Sequence, residues 1–383
     1  MTLDDLLTLC RNRDASDIHL SAGLPPCLRV RGVLEPQTEL GVTSNEWLAK
    51  VVESLPLGAS RESLDRIGSA DGALSAQDGT RFRVNVFKRR EGLSIALRRL
   101  EDQFRSLREL GLPDSLYELC DLAHGLVVVG GPTGSGKSTT LATLIDRINQ
   151  TRRGHIITIE DPIEYLHESR LSLVNQRQVG TDAATFDDAL VASLRQDPDV
   201  ILVGEIREIK TIRTAITAAE TGHLVFTTVH AGDCVGVIER MVSVFPAEEQ
   251  SGVRRQLSLV LQAIVVQHLL VADGTKVSAG PQPSEKNREE TRGSHPPRSS
   301  KRSRVVASEI LRMTPAVANL IGSAKGNQLY SSMESSSAAG MQTFEQDLAR
   351  LWVGGWISEQ TATAYARNVS VLQDRAARLR LRK

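Results

Sequence analysis

A chain of 383 residues has room for two or three domains with sizeable cores. Basic and acidic residues both total 46, so the zero formal charge argues against wholesale nucleic-acid binding, and 4% aromatic residues are too few for a base-stacking platform. Cys10, Cys27, Cys120 and Cys234 lie far apart without paired spacing, which speaks against a disulfide framework or a zinc knuckle and suits a reducing cytosol.

The N-terminal stretch "MTLDDLLTLC" carries acids where a secretory signal would carry positive charge, so a soluble cytoplasmic chain is expected. Residues 1–103 read as a small α+β domain. "LDDLLTLCRNR" has helical spacing, while "SDIHLS", "PCLRVRG" and "RFRVNVFKRR" read as short strands. In the last of these, Phe82, Val84 and Val86 share one face, and Arg81, Arg83 and Asn85 share the other. Taken alone, arginines on such a face are an ordinary solvated edge.

From 104 to 271 the pattern becomes α/β. "GLVVVGG", "HIITIED", "PDVILVGE" and "GHLVFTTVH" are near-continuous apolar runs, as for strands buried on both faces of a parallel sheet. "STTLATLIDRINQ", "TFDDALVASLRQ" and "EIKTIRTAITAAE" between them have helical spacing. "LSLVLQAIVVQHLLVA" (257–272), interrupted by Gln262, Gln267 and His268, is expected to be a buried amphipathic helix, since a membrane span needs about 20 mostly apolar residues. Residues 272–304, rich in Pro, Ser, Gly and charge and lacking aromatics, are expected to be disordered, and 305–383 to be helical. The basic tail "DRAARLRLRK" reads as a solvated helix end.

Chemistry enters at Gly131–Ser138, G-x-x-x-x-G-K-S between an apolar run and a helical one. Backbone N–H groups of Gly131, Pro132 to Gly136 and the helix start (proline itself lacking a donor) would cradle phosphate, with Thr133, Gly134, Ser135 and Thr139 in the same loop. Lys137 would reach the β- and γ-phosphates of ATP, and Ser138 would hold Mg²⁺. Two further runs end in acids: Glu160, Asp161 and Glu164 in one, and Glu205 in the other, where Gly204 occupies the usual aspartate position. Carboxylates at strand ends beside a P-loop fall in the ligand crevice of an open α/β sheet. The run "HLVFTTVH" sets His223 at one end of a strand and His230 at the phosphate end; neither a Cys pair nor HExxH supplies partners for zinc.

The stretches "GPTGSGKSTT", "ITIEDPIEY", "DPDVILVGEIRE" and "AAETGHLVFTTVH" resemble the Walker A, Asp box, Walker B and His box of the type II/IV secretion and pilus ATPases. "ASDIHLSAGLPPCLRVRG" and "RFRVNVF" resemble that family's PAS-like N-terminal domain, and "NQRQVGTDAATFDDALVASLRQDPD" and "VFPAEEQ" resemble its pilus-retraction branch. The resemblance implies a RecA-like P-loop NTPase core in a homohexameric ring. It implies ATP hydrolysis for pilus retraction and twitching motility, against a platform protein at the inner membrane. It also implies that Glu164 activates water with Glu160 as second choice, that Glu205 supports Mg²⁺ and water, and that His223 and His230 couple nucleotide state to domain movement. Arg81, Arg83 and Arg98 would reach a neighbour's γ-phosphate.

Two departures stand out: "TPAVANLIGSAK" has Ala318 and Gly322 where the retraction branch carries arginines, and 272–304 replaces a tight turn. The alternatives are a type II secretion or assembly ATPase, which carries an extra N-terminal domain and a four-cysteine zinc module, a low-turnover accessory ATPase, and a nucleic-acid translocase.

Overall fold

The computed structural model describes residues 2–30, 33–58, 60–90, 92–100, 104–275 and 304–381. Helix α1 (Leu3–Asn12) starts in a capping box: Asp5 N–H donates to the Thr2 hydroxyl, and Thr2 N–H donates to the Asp5 carboxylate. Strands β1 (Ala15–Ser21), β2 (Cys27–Val30) and β3 (Val33–Pro36) follow, then helices α2 (Asn45–Ser54) and α3 (Ser60–Arg66). Strands β4 (Ser69–Ser75), β5 (Arg81–Arg89) and β6 (Gly92–Arg99) complete an antiparallel sheet in the order β3-β2-β1-β6-β5-β4. Phe82, Val84 and Val86 are buried in one core with Leu6, Ile18 and Leu48. The opposite face carries charge in register, because Arg98 on β6 lies directly between Asp17 on β1 and Arg83 on β5.

The second sheet holds strands β7 (Gly125–Gly130), β8 (His155–Glu160), β9 (Leu173–Gln178), β10 (Val200–Val203), β11 (Leu224–Val229), β12 (Leu261–Val271) and β13 (Arg304–Arg312). Their order is β13-β12-β7-β11-β10-β8-β9, parallel throughout except for the antiparallel β12–β13 pair. Every residue of β7, β10 and β11 is buried, since helices cover both faces. Those helices are α4 (Lys137–Thr151), α5 (Phe186–Ser193), α6 (Ile209–Glu220), α7 (Cys234–Ser243) and α8 (Ala247–Val260). The C-terminal part adds α9 (Pro315–Gly322), α10 (Leu329–Ser335), α11 (Phe344–Val353), α12 (Glu359–Tyr365) and α13 (Val369–Leu381).

Two expectations are corrected. The run 257–272 is not one helix, because α8 ends at Val260 and Leu261–Val271 is a strand inserted beside β7. Arg304–Arg312, expected as the last residue of the disordered segment and the start of the helical C-terminal part, is its antiparallel partner, with Val271 opposite Arg304. The reason is tertiary: β7 has an open side, and an apolar run pairing there satisfies its backbone while burying both faces. Of the segment expected to be disordered, residues 276–303 lie outside the described residues. Asp273, inside the segment expected to be disordered, is instead fastened: it accepts hydrogen bonds from the Ser358 N–H and from the hydroxyls of Ser358 and Thr361. Among the described residues no helix is long and apolar enough to cross a membrane.

Candidate functional site

The chemistry-bearing residues collect where β7, β8, β10 and β11 end. A cavity of about 460 Å³ is lined there by Thr133, Gly134, Lys137 and Ser138 from the P-loop, Glu160, Asp161 and Glu164 after β8, Glu205 and Arg207 after β10, His230 after β11, and Arg83 from the N-terminal sheet. A second cavity of about 410 Å³ lies on the other flank of the loop, beside Ser135, Gly136, Thr139 and Glu164. Together they offer a nucleotide room on both sides of the phosphate cradle.

The loop takes its shape from glycine and from β12. Gly131 has φ +143°, and a Cβ there would strike the Gln267 carbonyl and the Ser135 hydroxyl, so only glycine permits that approach. Gln267 is buried on β12; its amide donates to the Ser135 carbonyl at 2.8 Å and accepts from the Thr140 hydroxyl at 2.9 Å. Lys137 Nζ donates to the carbonyls of Gly131 at 3.0 Å and Pro132 at 2.9 Å. Burial lowers its pKa, and the carboxylates of Glu205 and Glu164 oppose that shift. Thr139 shares a hydrogen bond with the Tyr165 hydroxyl at 3.0 Å, tying α4 to the loop after β8.

The two candidate bases differ in their surroundings. Glu160 Oε1 accepts from the Thr158 hydroxyl at 2.7 Å and the Gln176 amide at 3.1 Å; burial raises its pKa, and those bonds pull the other way. Glu164 borders both cavities. The backbone on either side of Glu164 is held from β9. Gln178 accepts from Ile163 N–H at 3.3 Å, while Gln176 donates to the Tyr165 carbonyl at 2.8 Å and accepts from His167 N–H at 2.7 Å. Phe104 stacks on His167, with ring centroids 4.7 Å apart.

Gly204 explains the displaced acid. A Cβ there would lie 3.2 Å from the Ile159 carbonyl and 3.4 Å from Glu160 Cα, so a side chain would press on the end of β8. Glu205 therefore projects from the turn, pairing with Arg207 at 2.7 Å and approaching His230 Nε2 at 3.6 Å. The Thr228 hydroxyl donates to the Gly204 carbonyl at 2.7 Å and locks this turn to β11. Partial burial, followed by Lys137, lowers the His230 pKa against the pull of Glu205, so its imidazole is neutral at pH 7.

Not every sequence candidate gathers at the cavity. His223 sits at the opposite end of β11, roughly 23 Å of strand from His230 at the usual rise, and its Nδ1 lies 2.9 Å from the Ala218 carbonyl. Arg98 pairs with the buried Asp17 at 2.8 Å. Arg81 borders a separate cavity with Asp4 and Leu7, and its Nε and Nη1 are buried without a partner among the described residues, although Glu160 acts on its charge. Arg83 alone of the three lines the phosphate-side cavity. Sequence reasoning missed Gln176, Gln178 and Gln267; the repeated polar residues inside "VNQRQVG" and the interruption of an apolar run at Gln267 were the available signals.

A glycine-rich loop running from a central parallel strand into a helix, faced by carboxylates at neighbouring strand ends, defines a P-loop nucleotide hydrolase with a RecA-like core. Residues 2–354 match the family described as type II/IV secretion system protein. The type IV pilus retraction ATPase PilT of Pseudomonas aeruginosa is 40% identical over 96% of this chain and 98% of its own length. A twitching motility protein of Neisseria gonorrhoeae is 39% identical over 90% of this chain and 84% of its own. A crystal structure of the pilus retraction motor PilT with bound ADP superposes with a TM-score of 0.84 at 39% identity, covering 98% of this chain and 99% of that one. The chain belongs to the type II/IV secretion ATPase family, and it is a nucleotide-binding ATP hydrolase.

Proposed function

We propose that the chain is a motor that hydrolyses ATP to retract a pilus, acting as a homohexamer on the cytoplasmic side of the inner membrane against a membrane-embedded platform protein. The observation that carries this reading is the convergence of Lys137, Ser138, Glu164, Glu205 and His230 on one cavity, in a chain similar from end to end to a retraction ATPase. Direct nucleic-acid binding is no part of it.

In this reading Lys137 holds the β- and γ-phosphates, and the loop from Gly131 to Thr139 wraps the remainder. The Ser138 hydroxyl and the Glu205 carboxylate are oxygen donors on the same cavity, a set suited to Mg²⁺. Bound there, the ion would neutralise phosphate charge. Glu164 takes the proton of the attacking water, since Glu160 Oε1 is already engaged by Thr158 and Gln176. Neutral His230, beside Glu205, registers the γ-phosphate. His223, at the far end of the same strand, couples strand movement to α6.

Arg81, Arg83 and Arg98 complete a neighbour's site by lending positive charge to the γ-phosphate. The position of Arg83 on its own chain's cavity favours a second reading, in which this arginine serves the site in cis.

The test is genetic. Expressed in a bacterium lacking its retraction ATPase, this chain should restore twitching, and the Lys137→Ala variant should not. Robust Mg²⁺-dependent ATPase activity without any twitching would reassign the chain to an assembly or accessory role, consistent with Ala318 and Gly322 on α9 in place of arginines.

A further inference from the structure

We propose that Arg367 is a positioning residue that clamps the turn behind His230 to the C-terminal helices, so that displacement at the phosphate end of β11 moves those helices. The proposal rests on the reading of His230 as the side chain that registers phosphate.

The turn is short: one residue, Ala231, separates His230 from Gly232, and α7 begins at Cys234. Arg367 grips it from one side, with Nη2 donating to the Gly232 carbonyl at 2.7 Å. Glu309 on β13 grips it from the other, with Oε1 accepting from Cys234 N–H at 2.8 Å. The two grips are joined, because Arg367 Nη1 donates to Glu309 Oε2 at 2.6 Å. Glu309 is only 1% exposed, so removing that arginine would leave a buried carboxylate without its cationic partner.

Arg367 is equally fastened to the C-terminal helices. Its N–H donates to Glu345 Oε1 at 3.0 Å, and the guanidinium lies 5.4 Å from the centroid of the Phe344 ring. Glu345 is fully buried on α11 and also accepts from the Tyr330 hydroxyl at 2.6 Å. One side chain with its own backbone therefore bonds both the turn and α11. In a close-packed interior, a shift on one side cannot be absorbed by empty space and is passed to the other. Nothing in nucleotide binding needs Arg367, which touches no part of the P-loop cavity.

The test uses the full chain with Trp47→Phe, which leaves Trp352 and Trp356, both in the C-terminal part, as the only tryptophans. A non-hydrolysable ATP analogue with Mg²⁺ should change their fluorescence. Arg367→Gln should lose that change and at least fivefold in kcat, with the KM for ATP within about twofold, and Arg367→Lys should recover part of both. His230→Ala should lower kcat, and adding Arg367→Gln to it should cost little more. A silent His230→Ala overturns the reading of that histidine and the route through it. Wild-type turnover in Arg367→Gln, fully multiplicative losses in the double variant, or no fluorescence change in the parent protein overturns the clamp itself. Should Arg367→Gln fail to fold, Glu309→Gln/Arg367→Met removes both charges together and leaves neither unpaired; wild-type turnover in that variant overturns the clamp equally.

Discussion

The side-chain amide of Gln267 donates to the main-chain carbonyl of Ser135 at 2.8 Å, so a strand far away in sequence sets the shape of the phosphate loop. Gln267→Leu keeps the volume but leaves that carbonyl buried and unpaired, a loss of about 2 kcal/mol. ATP affinity should weaken about tenfold, read by fluorescent-nucleotide titration, and urea denaturation should show the stability loss. Unchanged affinity would mean that the loop holds its own form.

Lys137→Ala should abolish ATP turnover. Glu164→Gln should bind ATP within threefold of the parent and hydrolyse it about 10²–10⁴-fold more slowly. Glu160→Gln retains an acceptor for Thr158 and should keep most of its turnover. If Glu160→Gln is the dead variant and Glu164→Gln the active one, the two carboxylates exchange roles.

Subunit mixing separates the two readings of the arginines. If they act in trans, inactive Arg81→Ala/Arg83→Ala protein combined with inactive Lys137→Ala protein should regain activity in mixed rings. Rings shown by mass to be mixed, yet still inactive, would favour Arg83 acting on its own cavity.

His167 is buried and neutral, its pKa pushed down to about 4 by burial. Between that value and the ordinary 6.5 the unfolded chain binds a proton that the folded chain refuses, so stability is full above pH 6.5 and falls as the pH drops through this window. The loss should reach about 2 kcal/mol on going from pH 7 to pH 5. Denaturant titrations at the two pH values should show it, and His167→Gln should remove most of the difference.

Deleting residues 276–303 and closing the gap with a short turn should leave ATPase activity nearly intact. The β12–β13 register already runs to Val271 and Arg304, and Asp273 is anchored independently by Ser358 and Thr361. Shortening a loop changes closure entropy by only about 2 kcal/mol. Loss of activity on deletion would show that the segment takes part in the cycle.

The strands buried on both faces were legible because "LVVV", "IITI", "VILV" and "LVFTTV" carry no competing helical period. The P-loop and its acids were legible through spacing. The α8–β12 junction was not, since Val260 and Leu261 join two apolar segments without Gly or Pro between them, and Gln262 and Gln267 suit a helix edge as well as a strand. The function of Gln267 was hidden for the same reason: it exists only once β12 lies beside β7. The run "HLVFTTVH" already set His223 and His230 at opposite ends of one strand, and of the two only His230 lines the cavity beside the P-loop.

The loop carrying Glu164 hangs from Gln176 and Gln178, which belong to β9, the outermost strand of its sheet. Its outer side pairs with no described strand, and such margins fray first. Fraying there would unfasten the carboxylate proposed to activate water, while Lys137 after β7 and Gln267 on β12, towards the opposite side of the sheet, keep their places. With Glu164 in that role, the enzyme would have an idle gear, loaded with ATP without firing. Amide exchange along Leu173–Gln178 would then be its speedometer, fast in molecules that wait and slow in those about to turn over.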